Sequence, residues 1–304
     1  MKKNVVLTGG TGFIGKKLTQ LLLVNGFSVS ILSRSAKKNS GGISYYQWDV
    51  EAGTIDEAAI LNADYVIHLA GENIGAKRWT TTRKKAILDS REKSTQLLYA
   101  CLQQHNKQLE AFISASGVGI YGAITDEVIG TEITPAASDF LGTVCHKWES
   151  ATVPIHNLGI RTVQIRTGLV LGKGDGVLRQ LVPLFRYKLG SAIGSGKQYM
   201  PWIHIDDLCR IYLAAITNSE MQGPYNAAVN DGTTNASFSA ALAKVLGYTI
   251  WLPNVPAFVL QLVLGEMSQL VLKGRRVASD KIEKMGSQFQ FTDLDKALRN
   301  CLSD

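Results

Sequence analysis

The chain has 304 residues, 45% of them hydrophobic and 19% charged, with a formal net charge of +7 and a pI near 9.1. A mean hydropathy of +0.04 with scattered charge excludes a disordered chain, and the length admits one large domain or two small ones. Lysines and arginines are spread along the sequence, and the densest group, Arg83-Lys84-Lys85, reads as a solvated helical face. The positive excess therefore points to anionic ligands rather than nucleic acid.

Val5-Val6-Leu7 reads as a strand that runs into Gly9-Gly10-Thr11-Gly12-Phe13-Ile14-Gly15 and then a helix from about Gly12 to Val24. Strand, glycine turn and helix start form the layout that holds a dinucleotide pyrophosphate. Glycine tolerates positive φ and leaves room for phosphates, and the helix start offers unpaired N–H groups and a positive dipole end. After an Asn25-Gly26 turn a second strand, Ser28 to Leu32, ends in Ser33-Arg34-Ser35. A carboxylate at this place would bind the ribose 2′-hydroxyl of NAD, whereas Arg34 suits the 2′-phosphate of NADP(H) by bidentate pairing.

Further strands are expected at Ser44–Trp48, Tyr65–Leu69, Ala111–Ala115 and Thr162–Arg166, with helices near Lys16–Asn25, Thr82–His105 and Phe140–Leu158. Alternation at this spacing predicts an α/β, doubly wound parallel sheet of Rossmann type with its ligand beyond the carboxyl ends of the strands. The rhythm breaks after Gly168, and the remainder is expected to form a smaller C-terminal substrate-binding lid. The expected division is 1–168 plus about 200–222 for the nucleotide domain, and about 169–199 plus 223–304 for the lid. Val255 to Leu272 is strongly apolar but carries Gln261, Glu266 and Gln269, so a buried amphipathic helix is expected rather than a membrane span. Neither membrane nor nucleic acid is an expected partner. Cys101, Cys145, Cys209 and Cys301 show no CxxC and no metal-ligand spacing, which predicts reduced thiols, no metal and a cytoplasmic protein. The first strand starts at once, so no signal or transit peptide is expected.

Several motifs together resemble the extended short-chain dehydrogenase/reductase superfamily: Gly9–Gly15, His68-Leu69-Ala70-Gly71, Ser114-Ala115-Ser116 with Tyr121-Gly122, Arg166 to Gly172, and Ile203 to Asp207. Gly71-Glu72-Asn73-Ile74, Lys77-Arg78-Trp79, Ser90-Arg91, Trp148-Glu149 and Gly274-Arg275-Arg276-Val277 narrow the resemblance to an atypical "epimerase family protein" subgroup, similar to NAD-dependent epimerases and dehydratases. The resemblance implies cofactor contacts from Gly9, Thr11, Gly12, Phe13, Ile14 and Gly15 in the turn. It also implies them from Ser33, Arg34, Leu69, Ala70, Gly71, Arg91 and Leu169.

The superfamily's Tyr-x-x-x-Lys places phenol and ammonium on one helix face, where the lysine lowers the tyrosine pKa for proton exchange. No such pair lies between Ser116 and Arg166; with Glu149 as anchor, Leu141 takes the tyrosine position and Cys145 the lysine position. Lys147 lies two residues on, about 200° around a helix, and faces elsewhere. Ser116, Tyr121 and Cys145 are the remaining candidates for catalysis, each with a plain alternative as a loop-bonding, wall or packing residue. His204 is read as structural, ahead of a helix capped by Asp206. The expected function is an NADP(H)-dependent oxidoreductase or epimerase acting on a small carbonyl or hydroxyl substrate with a non-standard proton donor. The alternative is a non-catalytic NADP(H)-binding sensor or scaffold.

Overall fold

The computed structural model describes residues 2–35 and 37–303. Among these residues ten strands run β1 (Asn4–Thr8), β2 (Ser28–Ser33), β3 (Ile43–Asp49), β4 (Thr54–Ile55), β5 (Tyr65–His68), β6 (Ala111–Gly117), β7 (Thr162–Thr167), β8 (Leu169–Gly172), β9 (Trp202–His204) and β10 (Gly223–Ala227). The α-helices of the first half are α1 (Phe13–Val24), α2 (Glu57–Leu61), α3 (Thr81–Gln104), α4 (Phe140–Ser150) and α5 (Val153–Asn157). The second half holds α6 (Gly176–Arg186), α7 (Ile205–Thr217), α8 (Asn235–Val245), α9 (Ala257–Leu264), α10 (Gln269–Leu272), α11 (Asp280–Lys284) and α12 (Leu294–Leu302).

The main sheet has the order β10-β7-β6-β5-β1-β2-β3-β4 and is parallel except for β4. Val5, Leu7, Val29, Ile31 and Ile67 pack on α1 and α7 on one face, while Val6, Leu32, Val66 and Phe112 pack on α2, α3 and α5 on the other. Strands buried on both faces read as continuous apolar runs, which is why the sequence gives them away. The order reverses beside β1, and the crevice over the carboxyl ends of β1 and β5 opens there. The expected helix Phe140–Leu158 is two helices, because Pro154 at the start of α5 supplies no N–H to continue α4.

The smaller half joins the two-stranded sheet β8-β9 to α6, α8 and α12 around Leu171, Trp202, Phe238 and Leu298. Its expected boundaries shift. Gly223–Ala227 adds to the main sheet beside β7, and Ile282 of α11 enters the main core, so both leave the lid. Trp202–His204 goes the other way, pairing with β8 outside the main sheet. The predicted buried helix at Val255–Leu272 is also corrected. Gly265, at φ +60, breaks it into α9, a 3-10 turn and α10, and no residue of α9 is buried. Among the described residues no helix is long and apolar enough to cross a membrane. All four cysteines are free and buried. Cys209 lies in the α1/α7 core, Cys101 in the α2/α3 core, Cys301 in the lid core and Cys145 with Ile120, Tyr121 and Val277.

Candidate nucleotide site

A cavity of about 880 Å³ lies over the carboxyl ends of the strands, lined by Gly9, Thr11, Gly12, Ser33, Arg34, Leu69, Ala70 and Gly71 among others. Gly9 has φ +69, and a Cβ there would stand 3.0 Å from the Leu69 carbonyl carbon, so glycine serves both the turn and the close approach of two strand ends. Gly12 caps α1 with no side-chain hydrogen bond, which leaves the helix N–H groups directed at the cavity. Arg34 and Lys37 line the same space near Ser33. Backbone donors, a helix start and two cations fit the pyrophosphate and 2′-phosphate of a dinucleotide.

The side chains of the remaining predicted contacts point elsewhere. Phe13 packs its ring on Gly172 and Gly176, Ile14 joins the main core, and Leu169 begins β8. Gly15 is buried where α1 crosses the glycine turn. Arg91 is turned inward, 8% exposed, with its guanidinium carbon 4.5 Å from the Trp148 ring centre. One of its nitrogens donates to the Glu72 carbonyl at 3.1 Å and the Ile87 carbonyl at 2.9 Å, while Nε is buried with no partner among the described residues. A Cβ at Gly71 would lie 3.2 Å from the guanidinium carbon, so Arg91 lies directly behind a cavity wall residue. The surface ion pairs open to it in sequence go to others: Lys85 binds Asp89 and Lys147 lies against Glu92.

Arg83-Lys84-Lys85 is more than a solvated face. Arg83 pairs with Glu72 at 2.7 Å and lines the cavity with Lys85, and Lys84 pairs with Glu266 of the lid at 2.5 Å. His68, quoted in the strand motif but given no role there, also serves the site. Thr8 Oγ1 accepts from the Leu69 and Ala70 N–H groups, 3.1 Å each, and bonds His68 Nδ1 at 2.6 Å. His68 Nε2 meets Ser94 Oγ at 3.0 Å, and Ser94 donates to the Ser90 carbonyl at 2.6 Å. Burial, helped by Arg91, holds the His68 pKa down at about 3, so the ring is neutral. With Ser94 donating onward, Thr8 donates to Nδ1 and Nε2–H donates to Ser94, which ties the Leu69-Ala70 loop to α3.

The acid–base candidates are buried. A Cβ at Gly117 or Gly119 would meet Cys145 Sγ at 3.5 and 3.7 Å, and the one at Gly119 would also meet Leu141 at 3.5 Å. Two glycines, a thiol and an apolar chain thus face one another between the end of β6 and α4. Burial pushes the Cys145 thiol up to about 12. Tyr121, fully buried, donates to Asn226 Oδ1 at 2.6 Å and accepts from Arg166 at 2.9 Å, and burial pushes its phenol up to about 12. Ser116, 5% exposed, donates to Glu149 Oε1 at 2.7 Å, and Arg166 holds both Glu149 oxygens at 2.8 Å. Both groups, Tyr121 and Cys145, are thus largely shut off from solvent and held protonated by burial. His204 is structural, stacked on Phe291 at 3.8 Å, and it, not Asp206, caps α7 by accepting the Asp206 N–H.

Residues 5–228 match the model of the NAD dependent epimerase/dehydratase family, and residues 255–301 match a domain of unknown function, DUF1731. The chain is 35% identical over 302 residues to Epimerase family protein YfhF of Bacillus subtilis, covering 99% of this chain and 98% of that one. It is 34% identical over 304 residues to human Epimerase family protein SDR39U1, covering 98% and 99%. The crystal structure of human SDR39U1 (isoform2) with NADPH superposes with a TM-score of 0.85 at 33% identity, covering 98% of each chain.

Proposed function

The chain belongs to the NAD dependent epimerase/dehydratase family, and from that premise we propose that it binds NADP(H) and that occupancy of the dinucleotide site, rather than protein-assisted acid–base catalysis, is its principal activity. The cofactor half of this reading rests on the glycine cradle, the uncapped start of α1 and Arg34, and on the likeness to an NADPH-bound relative. Bound NADPH supplies a hydride. The protein supplies Ser33 and Arg34 for the 2′-phosphate, the Gly9–Gly12 backbone for the pyrophosphate, and the Leu69–Gly71 backbone along a ribose.

One observation carries the non-catalytic half: Ser116, Tyr121 and Cys145 are all buried, and Gly117, Gly119 and Leu141 bring no acid in their place. Such a protein reads out the NADP(H) pool as a sensor or scaffold. The Lys84–Glu266 pair, beside cavity-lining Arg83 and Lys85, gives the lid a direct link to that occupancy.

A second reading, an NADP(H)-dependent oxidoreductase acting on a small carbonyl or hydroxyl substrate, is favoured by Glu149. This carboxylate accepts from Ser116 and also lines an open cleft of about 350 Å³ with His146 and His156. Solvent, Glu149 and Ser116 thus form a path for a proton to the end of β6. Loss of a positioned acid typically costs about 10²–10⁴ in rate and leaves residual turnover measurable.

Fluorescence titration with NADPH and NADH, followed by a carbonyl panel read by nicotinamide absorbance, separates the readings. Tight NADPH binding without turnover is the expected result. Turnover that Glu149→Gln abolishes transfers the assignment to the oxidoreductase. Arg34→Ala is expected to weaken NADPH by about ten- to a hundredfold and leave NADH unchanged, the worth of one charge-assisted contact. An equal preference for NADH in the unaltered protein overturns the cofactor assignment.

A further inference from the structure

Half of the large hydrophobic side chains exposed among the described residues lie on two adjoining segments of the lid. Leu184, Tyr187, Leu189 and Trp251 are 52–79% exposed there, and Phe258, Leu262 and Val263 of α9 are 58–77% exposed. The chain itself joins these positions into one surface. Trp251 Nε1 donates to the Lys188 carbonyl, Ser191 Oγ to the Pro253 carbonyl, Val255 N to the Ala192 carbonyl and Gly194 N to the Val255 carbonyl, after which α9 begins.

The two segments that carry these side chains hold charge of one sign. Residues 176–205 contain no Asp or Glu but hold Arg179, Arg186, Lys188 and Lys197, and residues 232–265 contain no Asp or Glu either. None of those four cations pairs with a carboxylate among the described residues. Exposed aromatic and aliphatic chains bordered by unpaired cations match the interface of an anionic bilayer. There apolar groups enter the headgroup boundary while Lys and Arg keep their charge near lipid phosphates. A second copy of the same face would set like charges against each other, and nucleic acid would leave Phe258 and Leu262 in water.

We propose that this face of the lid, from the end of α6 through Trp251 to α9, docks the protein on an anionic membrane surface without spanning it. This departs from the sequence expectation of no membrane partner, which was drawn only against a span.

Trp251 reports the event, since the other four tryptophans are at most 8% exposed. The full chain is mixed with phosphatidylcholine vesicles, with and without phosphatidylglycerol, and followed by flotation and tryptophan emission. Flotation and a blue shift are expected only with the anionic vesicles, fading as salt rises. Phe258→Glu with Leu262→Glu should abolish both. Arg186→Glu with Lys188→Glu, which keeps the apolar chains, should weaken binding by about tenfold or more. Unaltered NADPH affinity in both double variants keeps this result separate from the dinucleotide reading. Absence of flotation with the anionic vesicles, or flotation the variants do not change, overturns the proposal. So does a concentration-dependent dimer lost in Phe258→Glu/Leu262→Glu without vesicle binding, which would make the face a contact between copies.

Discussion

His68 shows how one residue can serve a binding site it never touches. Its folded pKa of about 3 lies below the ordinary 6.5, so the folded protein holds the ring neutral while the unfolded chain takes up a proton below that value. The stability carried by this difference is fully present above about pH 6.5 and is lost as pH falls from there toward 3. Urea midpoints at neutral pH and at mildly acidic pH should therefore differ by roughly 2–4 kcal/mol of stability, and His68→Gln should remove much of that difference. Gly9→Ala acts at the same scale by another route. A methyl group at φ +69, 3.0 Å from the Leu69 carbonyl carbon, forces the two strand ends apart. NADPH affinity is expected to fall by about tenfold or more while the melting temperature falls only a few degrees.

At the scale of elements, α4 and β6 meet through glycines, and the positive charge beside them comes from other elements. Arg91, on α3, is one cation whose field reaches Cys145, and Arg166 on β7 is another. Rebuilding the family pair by Leu141→Tyr with Cys145→Lys therefore adds a second buried cation beside Arg91. The double variant is expected to lose about 2–4 kcal/mol of stability and to gain no turnover, as thermal melts and the carbonyl panel would show. That residues 117–165 hold no Tyr-x-x-x-Lys was legible in sequence. That Arg91 supplies a cation there was not, because it depends on how deeply α3 settles against Trp148. For α9 the same limit applied in reverse. Its apolar letters read as a core helix, and Gly265 with the packing of its neighbours left it on the outside.

Across the whole molecule, one buried polar network holds the sheet edge to the returning chain. Arg166 on β7 binds Glu149 on α4, Tyr121 and the Glu132 carbonyl. Tyr121 binds Asn226 on β10, whose side chain donates to the Ala278 carbonyl. Arg166→Met leaves Glu149 charged and 85% buried without its partner, and is expected to cost about 3–5 kcal/mol in chemical denaturation, against little for Asp126→Asn in the more exposed pair with Arg275. Six strands of the main sheet were legible: five are buried on both faces and repeat the same apolar signal, and β3, which buries only Trp48, is rich in aromatic residues. β10 was not, since Gly223-Pro224 looks like a turn and its place beside β7 is set by long-range contacts of Tyr225 and Asn226. The glycine cradle and Arg34 were legible as local patterns; the relay through His68 joins residues 60 and 26 positions apart and leaves no local trace.

The placement of the four thiols has a use of its own. Four packing units carry one cysteine each: Cys209 beneath α1 and α7, Cys101 beneath α3, Cys145 beside Ile120 and Tyr121, and Cys301 in the lid. Burial raises the pKa of Cys101 to about 11 and of the others to about 12, so in the closed protein all four resist alkylation. A mass-resolved alkylation time course then becomes four separate clocks, each timing the opening of its own compartment, and adding NADPH or vesicles would show which clock each one slows.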